Sequence, residues 1–387
     1  MVNKNGQREL AYIVTVDAVE PIEGYDKIAF ATVGGWHCVV GKDMKAGDKA
    51  IYFEIDSLLP STDERFAFCE KYNYKVKTQK YCKGSRISQG LLIPVTDFPE
   101  LADLEVGAFV TDKLKITYYE ANDRQRKGKE KEQKQFKPLF AKLKTHFPFK
   151  QMLRTEWGRN ILFSIFGLKM KKVAWPEFAP KSDEERWQNM VWIVKNREPW
   201  EITEKIDGCS STFAAKKIRK NKYQFWVCSR NVVLTRNKSA YYEKNVWFEM
   251  YDKYKIEDFL KQYIEENKVE WVVLQGETFG DGVQKRDYSL KGERDFRAFV
   301  LMDSSLNGGR YTYKETKEKL EKYGIPTVPI INENFTLPED AEEFNNIAKG
   351  DSEIDGQPRE GVVFRKISDP KQSFKAVDAG FIMKYHG

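Results

Sequence analysis

The chain has 387 residues, 41% of them hydrophobic and 32% charged, which allows two or three domains with their own cores and, with no apolar run of membrane-spanning length, excludes a helical membrane protein. Three histidines and five scattered cysteines (Cys38, Cys69, Cys82, Cys209 and Cys228) exclude a His-rich or Cys-rich metal cage and a disulfide framework, so any metal rests on carboxylates, which favours Mg²⁺ or Mn²⁺. A net charge of +7 suits a polyanionic partner, although many basic proteins bind no nucleic acid.

The first ten residues, MVNKNGQREL, lack an apolar h-region, so no secretory leader is expected and the thiols fit an intracellular, cytoplasmic protein. Residues 1–116 read as short strands. LAYIVTVDAVEPI, KIAFATVGG, WHCVVG, KAIYFEI and GLLIPV alternate or run apolar, and Gly34-Gly35, Lys45 to Asp48 and Gly84 punctuate them as turns. Evenly spaced short strands predict an OB-like β-barrel.

Residues 117–172 change character. Arg124 to Lys131 is a mostly basic run, and the segment from Pro138 to Lys172 interleaves Lys and Arg with aromatics. The first part reads as a solvated linker; the second reads as an amphipathic segment covering the barrel or touching an RNA backbone.

Residues 173–387 predict one α+β domain. WEITEKI, STFAAKK, QFWVCSR, WVVLQGE, FRAFVLMD, EGVVFRK and SFKAV are strand-like. YYEKNVWFEMYDKY, EDFLKQYIEENK and KETKEKLEKYG have helical spacing, with Gly324 as a stop.

Thr203-Glu204-Lys205-Ile206-Asp207-Gly208 ends a strand in a lysine followed by a glycine turn. Alone the K-x-D-G string is weak, arising by chance in about one such chain in ten, and a surface lysine before an Asp-Gly turn explains it equally well. Its companions, in order, are Cys228-Ser229-Arg230-Asn231, Gly276-Glu277-Thr278-Phe279-Gly280 with Asp281 to Lys285, Phe296 to Asp303, Glu360-Gly361-Val362-Val363-Phe364-Arg365, and Ser373-Phe374-Lys375-Ala376-Val377.

Together these six segments resemble motifs I, Ia, III, IIIa, IV and V of the covalent nucleotidyltransferases, the superfamily of polynucleotide ligases and capping enzymes. The loop after Glu277 and Ser210, where DNA ligases and capping enzymes usually carry arginine, point to RNA ligases. An OB-like domain in front and a chain ending soon after motif V resemble the family 5 ATP-dependent RNA ligases. So do Gly84 to Pro94 and Lys181 to Asn189.

The resemblance implies an N-terminal OB-like barrel before a mixed α/β, ATP-grasp-like adenylation domain. It implies a monomeric enzyme that uses ATP with Mg²⁺ or Mn²⁺ to join 3′-hydroxyl and 5′-phosphate ends at nicks in RNA or RNA/DNA duplexes, through a lysyl-AMP on Lys205. Glu204, Arg186, Arg230, Asn231, Glu277, Phe299 and Lys375 would bind ATP beside Lys205. Asp207, Glu360 and Asp303 would hold the metal. Phe299 would stack on adenine, with Phe296 or Phe299 in the core, and Arg186 would meet the β/γ-phosphates or pair within Asp183-Glu184-Glu185. Nearby cations (Lys375, Arg230 and a metal) and burial are expected to lower the Lys205 pKa. Ser373 stands where many RNA ligases carry a second motif V lysine. The rival readings are a DNA ligase or GTP-dependent capping enzyme, and a non-catalytic RNA-end binder.

Overall fold

The structure, a computed structural model, describes residues 9–84, 86–119, 149–152, 173–190, 197–236, 242 and 245–386. The chain forms two compact units, Met1–Tyr119 with Trp175–Gly387, and Glu120–Ala174. Apart from 117–119 and 149–152, the basic segment read over 117–172 lies outside the described residues.

The glycine-punctuated runs of the first part are antiparallel strands: β1 (Ala11–Thr15), β2 (Ala18–Pro21), β3 (Ile28–Val33), β4 (Trp36–Gly41), β5 (Lys49–Phe53), β6 (Ser57–Leu58), β7 (Gln79–Tyr81), β8 (Arg86–Ser88), β9 (Leu91–Pro94) and β10 (Thr117–Tyr118). They form two three-stranded sheets, β1-β5-β9 and β2-β3-β4, and the pairs β6-β10 and β7-β8. No single closed ladder runs through the described residues. Gly34 and Gly35 both take positive φ, +53° and +79°, as a two-residue turn between β3 and β4 requires. Ala29, Ala31 and Val33 alternate inward on β3 and Trp36, Cys38 and Val40 on β4, meeting Tyr12, Ala50, Tyr52 and Leu92 in one core. Ile13, Ile51, Phe53 and Ile93 face a second core with Phe66, Phe98 and Val110. The β1-β5-β9 sheet is therefore covered on both faces, which is why β5 reads as a nearly unbroken apolar run.

The second part holds β11 (Glu185–Arg186), β12 (Pro199–Lys205), β13 (Cys209–Arg219), β14 (Lys222–Cys228), α1 (Val246–Lys253), α2 (Ile256–Asn267), β15 (Trp271–Gly280), β16 (Arg294–Asp303), α3 (Tyr313–Glu321), β17 (Ile330–Thr336), α4 (Ala341–Ala348), β18 (Gly361–Lys366), β19 (Ser373–Val377) and α5 (Ala379–Tyr385). Two sheets form, β11-β19-β18-β12-β17 and β14-β13-β15-β16. Helices α1 and α2 cover the four-stranded sheet with Trp247, Met250, Phe259, Leu260 and Tyr263. Asn245 caps α1 at Phe248 N, and Thr312 with Glu315 forms a capping box on α3, satisfying amide donors that the first turn leaves free. Phe344 of α4 lies under the five-stranded sheet against Phe364 and Phe374. Arg365 of β18, fully buried, donates to Phe299 O of β16 at 2.9 Å and lies 3.6 Å from the centre of the Tyr313 ring, so it ties the two sheets together.

Trp187, also fully buried, reaches across to the β3–β4 turn. A Cβ at Gly35 would lie 2.1 Å from its ring. His37 pairs with Glu342 of α4 at 3.3 Å, and Arg186 lies over Trp36.

Candidate active site

Successive side chains on a strand face opposite ways, and paired residues share a face. On β12 this turns Ile202 and Glu204 one way and Thr203 and Lys205 the other. The first face meets the Trp187, Phe344, Phe364 and Phe374 core. On the second, Thr203 pairs with Val363, Val363 with Lys375, and Lys375 with Arg186. Lys205, Lys375 and Arg186 therefore occupy one face.

Lys205 pairs in register with Gly361, so Glu360 arrives at the end of β12. Lys205 Nζ donates to Glu360 Oε2 at 2.6 Å. The following turn brings Asp207 beside them. Across the site, Ser210 of β13 pairs with Glu277 of β15. Gly208 permits the β12–β13 turn to lie against β15, because a Cβ there would lie 2.3 Å from Thr278 O and 2.9 Å from Glu277 Cγ. The lysine, three carboxylates and a second lysine thus meet at the edges of two sheets.

The ligand-free electrostatics correct one expectation. Burial pulls Lys205 down, but Glu360 and Glu277, with the hydrogen bond to Glu360 and the charge of Asp207, overcome it and hold the ammonium above its ordinary pKa. The cation with the lowered pKa is Lys375, brought to about 8 by burial and by repulsion from Lys205 and Arg186. Burial, reinforced by Glu360 and Asp207 and opposed by Lys205 and Arg230, pushes Glu277 up to about 8. Burial and Glu360 also raise Asp207, against His386 and Lys205.

Glu277 supplies a testable sign. Its folded pKa of about 8 exceeds the ordinary 4.5, so the stability it contributes is complete below about pH 4.5 and is lost as pH rises to about 8. Glu277→Gln is expected to melt above wild type by a margin that widens from pH 5 to 8, reaches roughly 3–8 °C and then levels. Calorimetry of the ligand-free protein across that range checks it, and a pH-independent margin would contradict it.

A divalent cation suits the donor set. Asp207 and Glu360 offer hard carboxylate oxygens, and Asp207 Oδ2 is buried with no hydrogen-bond partner in the described protein. Among the described residues no three His, Cys, Asp or Glu side chains group as a metal cage. Asp303 does not join the pair, a correction to the expected metal set. It pairs with Val272 while Glu277 pairs with Arg297, which puts it at the far end of the sheet. There it accepts from Tyr263, Tyr311 and Ser305.

Glu204 also departs from the expected nucleotide set. Strand alternation turns it away from Lys205, and it accepts from Ser352 Oγ at 2.5 Å and Glu353 N at 2.9 Å. Arg230 is near enough to act on Glu277 and is paired with Asp183 at 2.7 Å. Asn231 is exposed in the turn after β14. Phe296 is the core aromatic, fully buried against Phe213. Phe299 falls at a bulge, between Val300 opposite Gln275 and Ala298 opposite Gly276. It is only partly buried, against the cluster that holds Ile206. Ser373 shares its hydroxyl with Arg310 and Glu184.

Three contacts have no signal in the sequence. His386, just after α5, meets Asp207 Oδ1 at 3.0 Å. Asp207 N donates to Tyr288 Oη at 2.6 Å. Gln284 Nε2 donates to Gly208 O at 3.0 Å.

The profile of the RNA ligase family matches residues 198–386, and that of an OB-fold domain matches residues 10–95. Residues 198–386 are thus an RNA ligase family domain. Its fold is an OB-fold domain followed by a mixed α/β nucleotidyltransferase domain, as the strand pattern and motif order lead one to expect. The chain is similar to solved structures of the RNA ligase of Naegleria gruberi. A mutant with ATP and Mn is 26% identical, with a TM-score of 0.71 over 98% of this chain and 99% of that one. Another mutant, with AMP and Mn, is 27% identical at a TM-score of 0.71 over the same shares. The form with PPi is 27% identical at 0.70, again over 98% and 99%. No curated protein matches the chain. Among the described residues of this ligase no helix is long and apolar enough to cross a membrane.

Proposed function

We propose that the ligase joins RNA 3′-hydroxyl and 5′-phosphate ends at nicks in a duplex, using ATP and Mn²⁺ or Mg²⁺ through a lysyl-AMP on Lys205. The observation that carries this reading is the shared face of Lys205 and Lys375 opposite Glu277, with Glu360 and Asp207 at its edge. The ATP, AMP and pyrophosphate forms of the Naegleria ligase support it.

In the first step neutral Lys205 Nζ forms a bond to the α-phosphorus, the bridging P–O bond breaks and pyrophosphate leaves. An RNA 5′-phosphate oxygen then attacks the same phosphorus and the P–N bond breaks, returning Lys205. Finally the 3′-hydroxyl attacks the RNA phosphorus and AMP departs. Each transfer depends on positioning and charge neutralisation. A divalent cation held by Glu360 and Asp207 would neutralise charge on the phosphates. With those carboxylates engaged, burial acts on Lys205 with less opposition and favours the neutral amine. Lys375 and Arg186 face the phosphates, Glu277 accepts from the ribose hydroxyls, and Phe299 offers its partly exposed ring to adenine.

The OB-fold domain, taken as residues 1–116, holds the nucleic acid. Residues 117–172 connect it to the adenylation domain, 173–387. Between Glu70 and Asp97 the chain carries Lys71, Lys75, Lys77, Lys80, Lys83 and Arg86 and no acid. Lys71 lies over the Tyr72 ring and Arg86 over Phe30. Cations interleaved with aromatics suit a phosphate backbone and its bases.

Incubation with ATP and Mn²⁺ is expected to transfer label to the protein from the α-phosphate and none from the γ-phosphate. The charged protein should then seal a nicked duplex with RNA at the 3′-hydroxyl side, releasing one AMP per join. Absence of α-label, or equal α- and γ-label, overturns the proposal.

A further inference from the structure

The loop between β15 and β16 contains two buried side chains that the reaction itself does not use. Tyr288 is 2% exposed and Arg286 is 3% exposed. Tyr288 and Ser289 both take left-handed backbone, with φ of 52° and 57°. For a bulky residue that conformation costs energy and marks a position the surroundings enforce.

The strained turn aims the Tyr288 hydroxyl at the main chain of Asp207, whose N–H donates to it at 2.6 Å. His386 takes Asp207 Oδ1 at 3.0 Å, and Oδ2 is left buried without a protein partner. One carboxylate oxygen is thereby held and the other kept available.

Arg286 lies 4.0 Å from the centre of the Tyr288 ring. Its guanidinium pairs with buried Asp355 and donates to Pro358 O at 2.6 Å. Asp355 and Pro358 belong to the segment that runs directly into Glu360. That segment is anchored again by Glu204, through Ser352 and Glu353. Two residues two apart in sequence therefore grip the two chain segments that bear the site's paired carboxylates.

We infer that Tyr288 and Arg286 are positioning residues that fix Asp207 relative to Glu360 at the separation a divalent cation requires. The inference rests on the reading of those two carboxylates as metal ligands. It accounts for a buried arginine spent on one loop segment, a strained tyrosine, and the turn of Glu204 away from Lys205. A Mg²⁺ or Mn²⁺ ion tolerates little error in ligand placement, and groups that hold ligands in place commonly change affinity 10–100-fold when removed.

The test is Mn²⁺ binding rather than activity. Free Mn²⁺ is counted by electron paramagnetic resonance while it is titrated into wild type and Tyr288→Phe, each with a non-hydrolysable ATP analogue. The expected result is Mn²⁺ affinity weakened about 5–20-fold in Tyr288→Phe, with the analogue's affinity measured without metal within about twofold of wild type. Arg286→Lys keeps a charge for Asp355 but loses the flat contact with Tyr288, and it should shift Mn²⁺ in the same direction. Thermal melting without ligand identifies a variant that has lost its fold, in which case the other variant decides. Unchanged Mn²⁺ affinity in a folded variant, or an equal loss of analogue affinity without metal, overturns the inference. Failure of wild type to bind Mn²⁺ would instead overturn the reading of the carboxylates beneath it.

Discussion

Lys205→Ala is expected to abolish covalent labelling by α-labelled ATP, a loss on the order of 10³-fold or more, because no other amine replaces the attacking atom. The loss alone does not separate chemistry from folding. Lys205 and Glu360 form a largely enclosed pair, their side chains 23% and 9% exposed, and removing the lysine leaves a nearly buried carboxylate unpaired. Truncating one member of such a pair destabilises a protein. Lys205→Arg separates the two effects. A guanidinium can answer Glu360 but is never neutral at accessible pH, so it cannot attack. Both variants should be inactive in labelling, with Lys205→Arg melting closer to wild type than Lys205→Ala. The final joining step does not use the lysine as nucleophile, so both should still seal a nick whose 5′ end already carries AMP, within about tenfold of wild type. Labelling of Lys205→Ala at the wild-type level would move the covalent site elsewhere.

What the sequence made legible here is set by strand geometry. The alternation in β3 and β4 and the apolar runs of β5 and β15 are strong periodic signals, and these strands lie where they are read. Lys205, Glu360, Glu277 and Lys375 stand at strand ends or pairing positions, and the strand register brings them together. Glu204 and Asp303 depart from expectation for the same reason. A motif names neighbours in sequence, whereas the pleat sends Glu204 to the opposite face and the β15–β16 register carries Asp303 to the far end of the sheet. The Phe296 and Phe299 alternatives turn on a bulge, and one extra residue flips the face a side chain occupies. β17 and α4 leave little periodic signal, because β17 is mostly exposed and α4 sends few apolar side chains into the core. Tyr288, Arg286 and His386 act through contacts across 69 to 179 residues of chain, and no local spacing records them.

The ligand-free site holds its two lysines in the wrong order for the proposed reaction. Lys205, which must lose its proton, is held above the ordinary value, while Lys375, which must keep its charge to meet a phosphate, is brought down to about 8. The phosphates of ATP favour the charged form of Lys375, so binding and protonation are coupled there. Lys375→Ala should therefore slow lysyl-AMP formation by about 10²–10³-fold, the usual cost of losing one charge-stabilising donor at a transferring group. Lys375→Arg gives the more exact test, because arginine keeps its charge at every accessible pH. In wild type the free-enzyme charge at this position is complete well below pH 8 and is lost as pH rises through it. Dividing kcat/KM for ATP in Lys375→Arg by that of wild type cancels the titration of Lys205, which both share. The ratio should be flat to about pH 7, bend near 8 and then rise about tenfold per unit, since kcat/KM reports groups of the free enzyme. A ratio constant from pH 6.5 to 9.5 would mean that Lys375 stays fully charged without ATP, and that the repulsion from Lys205 and Arg186 is relieved by a rearrangement before the nucleotide arrives.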